Sequence, residues 1–245
     1  MDTLQFKLIQ LLFVLLSVTL IYIIYKGLKI GAEKAGYSID AQKKISSSFL
    51  SVSFLWFILV NILSVKEIFL DFSSMPPKIF IVVIIPFIVI IFFLVSKKIN
   101  RILLNVPGQW LIYIQSFRVI VEILLWMLLL LNLMPVQMSF EGRNFDILVG
   151  LTAPVIAYFC YSKKKWSDTI ALIWNFAGLI LLANIVITAI LSMPTNLRVF
   201  MNQPSNTIVA YFPVVLLPAV LVPVAYAMHL FSIKQILMKR KVVVR

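Results

Sequence analysis

The feature that most constrains this chain is a series of long apolar runs that recur along almost its whole length. Each run is close to twenty residues, the length that an α-helix needs to cross about 30 Å of bilayer hydrocarbon. A transmembrane β-barrel would show alternating segments of about ten residues instead. The pattern therefore predicts an all-α, polytopic membrane bundle. Its seven predicted spans cover approximately Leu4–Tyr25, Ser47–Val65, Ile79–Ser96, Trp110–Leu133, Phe145–Tyr161, Asp168–Leu191 and Thr207–Phe231.

Composition and spacing leave no room for a water-soluble domain. The 245 residues are 62% hydrophobic and 13% charged, whereas soluble domains are about 45–50% apolar and about 25% charged. Residues 1–245 are therefore predicted to form a single transmembrane domain. The first run is long for the core of a signal peptide, and Lys26 and Lys29 follow it directly, so we expect it to be retained as the first span.

The basic residues behind the net charge of +13 are concentrated on one side of the predicted membrane bundle. Sixteen of the 22 Lys and Arg fall on that side of the seven predicted spans. Basic loops stay in the cytoplasm, so the pattern predicts an N-terminus outside and a C-terminus inside. Membrane lipids are the partners that this charge implies, and nucleic acid is not needed to explain it. Residue usage favours the inner membrane of a bacterium. A second membrane subunit or a homo-oligomer is left open as a further partner.

Metal and cofactor chemistry have little support in the sequence. Cys160 and His229 are the single cysteine and the single histidine, and a zinc or iron site normally takes three or four such ligands. No metal and no cofactor are therefore predicted, and no catalytic residue is assigned. His229 is interpreted as a neutral side chain near the cytoplasmic end of the last span.

Three polar residues interrupt the fourth span in the stretch QSFRVIVE: Gln115, Arg118 and Glu122. Their spacing of three and four places them on one narrow arc of a helix. Each charge at a helix centre costs roughly 2.5–3.5 kcal/mol on insertion, so the arc is expected to face the bundle interior or a wet cavity. Two interpretations stay open, a self-neutralising pair that fixes helix packing and a polar site at the bottom of a pocket.

The outer connection SFEGRNFD is the second candidate for a functional segment. Asn144 is suited to cap the fifth span, and Asp146 in its first turn suits the positive end of the helix dipole. Glu141 and Arg143 are not explained by capping, so all four are candidate ligand-binding residues. Spans four and five are expected to be adjacent and antiparallel, which would place this loop above Glu122 by about ten residues, or roughly 15 Å along the helix axis. One pocket is therefore predicted to contain both the loop residues and Glu122.

Arginine usage adds a further candidate. Lysine outnumbers arginine sixteen to six, yet arginine supplies three of the six basic residues outside the cytoplasmic side, namely Arg118, Arg143 and Arg198. A guanidinium holds carboxylates and phosphates in paired hydrogen bonds. Arg198 therefore joins the ligand-binding candidates, and an anionic or carboxylate-bearing ligand is expected.

The last span contains prolines at regular spacing, Pro213, Pro218 and Pro223. Each removes a backbone hydrogen bond, so the helix is predicted to be bent or locally unwound. The prolines could be tolerated kinks, or they could form a hinge or a cavity wall.

The segments FEGRNFDILVGLTAP and PTNLRVF, with the proline-rich last span and the HLFSIKQ that follows, resemble uncharacterised bacterial multi-pass membrane proteins. The resemblance covers spans four to seven and implies no assigned activity.

Three functions are compatible with these observations. The first is binding or transport of a small anionic or lipid-like molecule in a polar intramembrane pocket. The second is a non-catalytic accessory or sensory subunit that packs against a partner. The third is an intramembrane enzyme acting on a lipid-like substrate, which has the least support because no HExxH, GxSxG or Asp-rich motif is present.

Overall fold

The computed structural model describes residues 4–243, and within that range the chain is helical and contains no β-strand. Short 3-10 turns cover Ile68–Leu70, Lys78–Phe80, Ile114–Ser116, Val136–Met138 and Ile208–Ala210, and π-helical turns cover Tyr158–Ser162 and Leu217–Leu221. The α-helices are α1 (Leu4–Lys34), α2 (Ile39–Val65), α3 (Ile81–Val95), α4 (Lys97–Asn105), α5 (Gly108–Tyr113), α6 (Phe117–Leu130), α7 (Asp146–Ala157), α8 (Asp168–Leu191) and α9 (Val222–Val243).

Six helical segments in the described range are long and apolar enough to cross a bilayer: Leu4–Lys34, Ile39–Val65, Lys78–Val95, Gly108–Leu130, Asp168–Leu191 and Leu217–Lys241. Their length and composition indicate a membrane protein. The predicted fifth span corresponds to a shorter apolar helix, Asp146–Ser162. Its seventeen residues extend only about 25 Å at 1.5 Å per residue, somewhat less than the hydrocarbon thickness.

The segments that carry most of the basic charge meet at one end of the bundle. Arg101 on α4 donates to the carbonyl of Ala35 at 2.7 Å, just beyond α1. Gln235 on α9 donates to the carbonyl of Val106 at 2.7 Å, and Arg240 pairs with Asp168 at 2.8 Å. The amphipathic helix α4 lies at this basic end, with Ile102 and Leu103 buried.

The centre of the bundle is formed by the predicted fourth and seventh spans. The segments differ in how many residues are buried in the most apolar 18-residue stretch of each. The buried share is 61% in Gly108–Leu130 and 56% in Leu217–Lys241, but only 11% in Ile39–Val65. Helix α9 packs against α3, α4, α5 and α8. The two central segments are also those that carry the polar or proline-rich interruptions, since protein contacts can compensate for such residues where lipid cannot.

The last helical segment, Leu217–Lys241, begins and ends about ten residues later than the predicted span Thr207–Phe231. Pro213 precedes the helix, Pro218 is the second residue of the π-helical turn, and Pro223 is the second residue of α9. Pro218 is tolerated because it lies in the first turn of the helical segment that begins at Leu217, where the N–H groups have no helical partner, and Pro223 lies directly after the π-helical turn. The predicted local unwinding is therefore present, as a π-helical turn at the start of the helix.

Candidate functional site

The polar arc of QSFRVIVE points into the bundle, as predicted. Gln115, Arg118 and Glu122 are 0%, 2% and 1% exposed. A 3-10 turn over Ile114–Ser116 separates α5 from α6 just before Arg118. Gln115 Nε2 donates to the carbonyl of Ala225 at 3.0 Å, which ties this arc to the central helix α9.

Arg118 does not pair with Glu122 along its own helix. Its Nε donates to Asp146 Oδ2 at 3.0 Å, and its second terminal nitrogen forms an ion pair with Asp146 Oδ1. This two-bond contact between a guanidinium and a carboxylate is the geometry that favours arginine over lysine. Asp146 is the first residue of α7, so the partner comes from the neighbouring helix.

Glu122 is bound instead by Asn144. The Asn144 side-chain amide donates to Glu122 Oε1 at 2.5 Å and to the carbonyl of Met138 at 3.1 Å. Asn144 Oδ1 accepts from the backbone N–H of Asp146 at 3.1 Å. Asn144 thus accepts from the first residue of α7, although Phe145 and not Asn144 occupies the N-cap position, and it also fixes the carboxyl group of Glu122. The second oxygen, Glu122 Oε2, is buried without a hydrogen-bond partner.

The loop between α6 and α7 folds back into the bundle, which corrects the predicted separation of about 15 Å between this loop and Glu122. Ser139 and Asn144 are 0% and 1% exposed, and Asn144 and Asp146 contact the polar arc directly. A close approach of α7 to α6 is possible because Gly150 has no side chain. A Cβ atom there would lie 2.7 Å from Val119 Cγ2 and 2.8 Å from its backbone nitrogen.

His229 extends the polar cluster, although the sequence placed it near the membrane interface. It is 0% exposed, and its Nε2 lies 3.0 Å from Arg118 Nη1 while its Nδ1 lies 2.9 Å from Asn175 Oδ1. A guanidinium can only donate, so Nε2 accepts and Nδ1 carries the proton. His229 is thereby held as the neutral Nδ1–H tautomer.

The position of His229 depends on its neighbours on α8. Asn175 Nδ2 donates to Ser232 Oγ at 2.9 Å. Gly178 makes room for the imidazole, since a Cβ atom at that position would lie 2.3 Å from His229 Cε1. Asn175 and Gly178 are three residues apart on α8, and nothing in the sequence connected either of them to Arg118.

A cavity of about 230 Å³ lies against this cluster. Four of the eight predicted ligand-binding residues contribute to its lining, and they form the polar part of its surface: Arg118, Glu122, Asn144 and Asp146. The other walls are predominantly apolar and come from α3, α6, α8 and the π-helical turn before α9. Pro218 belongs to that wall, whereas Pro213 and Pro223 do not.

The remaining candidates are engaged outside the lining of this cavity. Gln115 is bound to α9 as described above. Glu141 accepts from Trp126 Nε1 at 2.7 Å. The guanidinium of Arg143 lies 5.1 Å from the ring centroid of Phe200. Arg198 donates to the carbonyls of Phe200 and Asn202 at 2.9 and 2.8 Å, which stabilises its own loop.

Metal ligands are not grouped in the part of the chain that the structure describes, where no three His, Cys, Asp or Glu side chains lie close enough together to hold an ion. The polar groups in the cavity lining are two carboxyl groups, one guanidinium and one side-chain amide.

Comparison with known proteins gives a family and no activity. A family model described as a domain of unknown function, DUF8737, matches residues 76–237. The chain belongs to the DUF8737 family. The matched part of the family domain runs from just before α3 into α9, so it includes the whole polar cluster and the cavity. The expected resemblance to an uncharacterised family is confirmed at this level. No curated protein and no solved structure matches the chain.

Proposed function

We propose that this DUF8737 protein binds a small amphiphilic molecule within the membrane, in the cavity above Glu122. The observation that carries the proposal is the unpartnered Oε2 atom of Glu122, a residue in the lining of a cavity whose walls, apart from the polar cluster, are predominantly apolar. A buried polar atom without a hydrogen bond costs about 1–3 kcal/mol. A ligand that supplies the missing hydrogen bond and covers the apolar walls offsets this cost.

The polar group of the ligand should be a hydrogen-bond donor, which revises the anionic ligand expected from the arginines. Arg118 is already neutralised by Asp146, and Arg143 and Arg198 do not line the cavity. None of the three guanidinium groups is therefore free to hold a carboxylate or phosphate there. The lipid-like character of the expected ligand is kept, because most of the lining is apolar.

The topology belongs to the proposal too. We place the chain in the inner (cytoplasmic) membrane of a bacterium, with seven spans, the N-terminus outside and the C-terminus inside. The short helix Asp146–Ser162 serves as the fifth span, and the basic end of the bundle faces the cytoplasm in accordance with the positive-inside rule.

Binding is favoured over the other two functions by the location of the charges. An accessory subunit that used the polar arc to meet a partner would present it on its surface, but Arg118 and Glu122 are buried within their own chain. An enzyme would need a second group positioned around a reacting atom, and only Glu122 offers an unengaged oxygen at the polar part of the cavity. Transport is compatible with the proposal, since a transporter must also bind its substrate within the membrane.

A cavity-filling substitution tests the proposal. Ala189 on α8 lines the cavity, whereas Ala183 is a half-buried alanine of the same helix that does not. The wild-type protein and the A189F and A183F variants are purified in detergent from their native membranes, extracted with organic solvent and analysed by mass spectrometry. We expect one small molecule to be retained by wild type and A183F and to fall at least tenfold in A189F. A wild-type protein that retains no such molecule, or an A189F protein that retains as much, contradicts the proposal.

A further inference from the structure

We infer that the cavity accepts a primary amine with a single apolar chain, which pairs through its nitrogen with Glu122 Oε2 and enters sideways from the lipid between α3 and α8. This inference rests on the proposed binding function and specifies its ligand and its route.

The hydrogen bonds of the polar cluster leave one position open. Both side-chain amide hydrogens of Asn144 are used, on Glu122 Oε1 and on the carbonyl of Met138. Both carboxylate oxygens of Asp146 face Arg118. Each guanidinium nitrogen of Arg118 has a partner in Asp146 or His229. Among the four polar residues of the cavity lining, Glu122 Oε2 is thus the carboxyl oxygen that is left to receive a ligand.

The charges of the cluster favour an amine at this position. One guanidinium faces two carboxyl groups, and His229 adds no charge because it accepts from Arg118. Net charge in a low-dielectric interior is costly. An amine and Glu122 together form a neutral pair whether the proton resides on nitrogen or on oxygen. A carboxylate ligand would bring a third acidic group to the same place.

The size of the cavity limits the rest of the ligand. An engineered cavity of about 150 Å³ holds a benzene molecule, so about 230 Å³ accommodates an amine and the first carbons of a chain. A phospholipid with two chains exceeds this volume. The remainder of a single chain must therefore leave through an opening in the cavity wall.

The opening lies between α3 and α8. Among the lining residues, Ile84 on α3 is 50% exposed, and Phe80, Val186 and Ile190 are half-buried. Helix α3 packs mainly against α9 and α4, and α8 packs against α9 and α7, so the two helices flank the cavity without closing it. All four residues are apolar and face the position of the acyl chains. They lie at the start of α3 and the end of α8, in the half of the bundle away from the basic end.

Photoaffinity labelling tests both the class of ligand and the route. The probes are decylamine, decanol and decanoate that carry the same alkyl diazirine, applied to the full chain in liposomes, with adducts located by mass spectrometry. We expect decylamine to label the residues of α3 and α8 around the opening at least tenfold more than decanoate does. Glu122→Gln should remove this preference, so that decylamine and decanoate label these residues to the same extent. The probe series on the unsubstituted protein tests the class of ligand without relying on any variant.

The route is tested with a matched pair of tryptophan substitutions on α3. Ile84→Trp narrows the opening, and Ile91→Trp, at a position that is 60% exposed and outside the cavity lining, serves as the control. We expect only Ile84→Trp to reduce labelling by decylamine, by at least fivefold. Equal labelling in the two variants overturns the sideways route.

The outcomes separate this inference from the proposed function. Labelling of the cavity by decanoate as strong as by decylamine overturns the amine and leaves binding intact. If none of the three probes labels the cavity and A189F also retains the native small molecule, the binding function itself fails.

Discussion

Two partners stabilise the buried guanidinium of Arg118, one by neutralising its charge and the other by accepting a hydrogen bond. Asp146 neutralises the charge through two parallel contacts, and His229 accepts a further hydrogen bond without adding charge. Asp146 also lies in the first turn of α7, where the helix dipole stabilises a carboxylate. The charge of Arg118 is thus compensated within the chain. Its side chain holds Asp146 and His229 in place and forms part of the polar lining of the cavity.

Breaking this ion pair should cost more than deleting it. Arg118→Leu or Asp146→Leu strands a buried charge, so we expect each to lower the free energy of unfolding in detergent by about 3–5 kcal/mol, with the double substitution costing less than either single one. The exposed pair Arg240–Asp168, whose side chains are 38% and 48% exposed, is the control. Substituting either of its members with leucine should cost under about 1 kcal/mol. Equal unfolding of the two single variants and the double variant at the Arg118–Asp146 pair would contradict a buried pair.

Helix α7 and the loop before it explain how the connection between α6 and α7 reaches the middle of the bundle. The loop gains protein partners at depth, because Gln137 donates to Ser192 Oγ at 2.9 Å and Asn184 donates to the carbonyl of Arg143 at 2.8 Å. Irregular backbone at membrane depth is tolerated only where protein surrounds it. With Asp146–Ser162 as the proposed fifth span, the folded-back loop would cover the part of the bilayer thickness that this short helix does not reach.

Cysteine accessibility can test this folded-back loop directly. In a Cys160→Ser background, Ser139→Cys replaces a residue that is 0% exposed, and Glu141→Cys replaces an exposed residue two positions away. We expect a membrane-impermeant maleimide to modify the cysteine at position 139 at least tenfold more slowly than the one at position 141. Similar rates would show that the loop stands out in water.

At the scale of the molecule, the basic residues and the cavity opening lie towards opposite ends of the bundle. The Arg101, Gln235 and Arg240 contacts gather the lysine-rich segments at one end. The opening between Ile84 and Ile190 lies towards the other. With the basic end in the cytoplasm, the cavity would receive its ligand from the outer leaflet.

The orientation is tested by two exposed positions on opposite sides. In the same Cys160→Ser background, Lys164→Cys lies on the basic side and Met201→Cys lies in the loop between α8 and α9. With intact cells whose outer surface is accessible, an impermeant maleimide should label position 201 at once and position 164 only after the membrane is permeabilised. The reverse order would invert the topology and move the cavity opening to the cytoplasmic leaflet.

The sequence by itself determined where most of the long apolar helices lie and that the polar arc turns inward. Asp168–Leu191 has the same bounds in the prediction and in the structure, and Arg118 and Glu122 face inward as predicted. These outcomes depend on the free energy of transferring each segment into hydrocarbon, which is a local property. The tertiary structure decided the partners. Arg118 could be neutralised by Glu122 four residues along or by Asp146, and only the close approach at Gly150 selects Asp146. His229 contacts Arg118 across 111 positions of the chain, and the apolar walls of the cavity come from helices that are far apart in the sequence. Such contacts cannot be predicted from the segments alone, because many arrangements of the same helices have similar transfer free energies and differ only in how the helices pack.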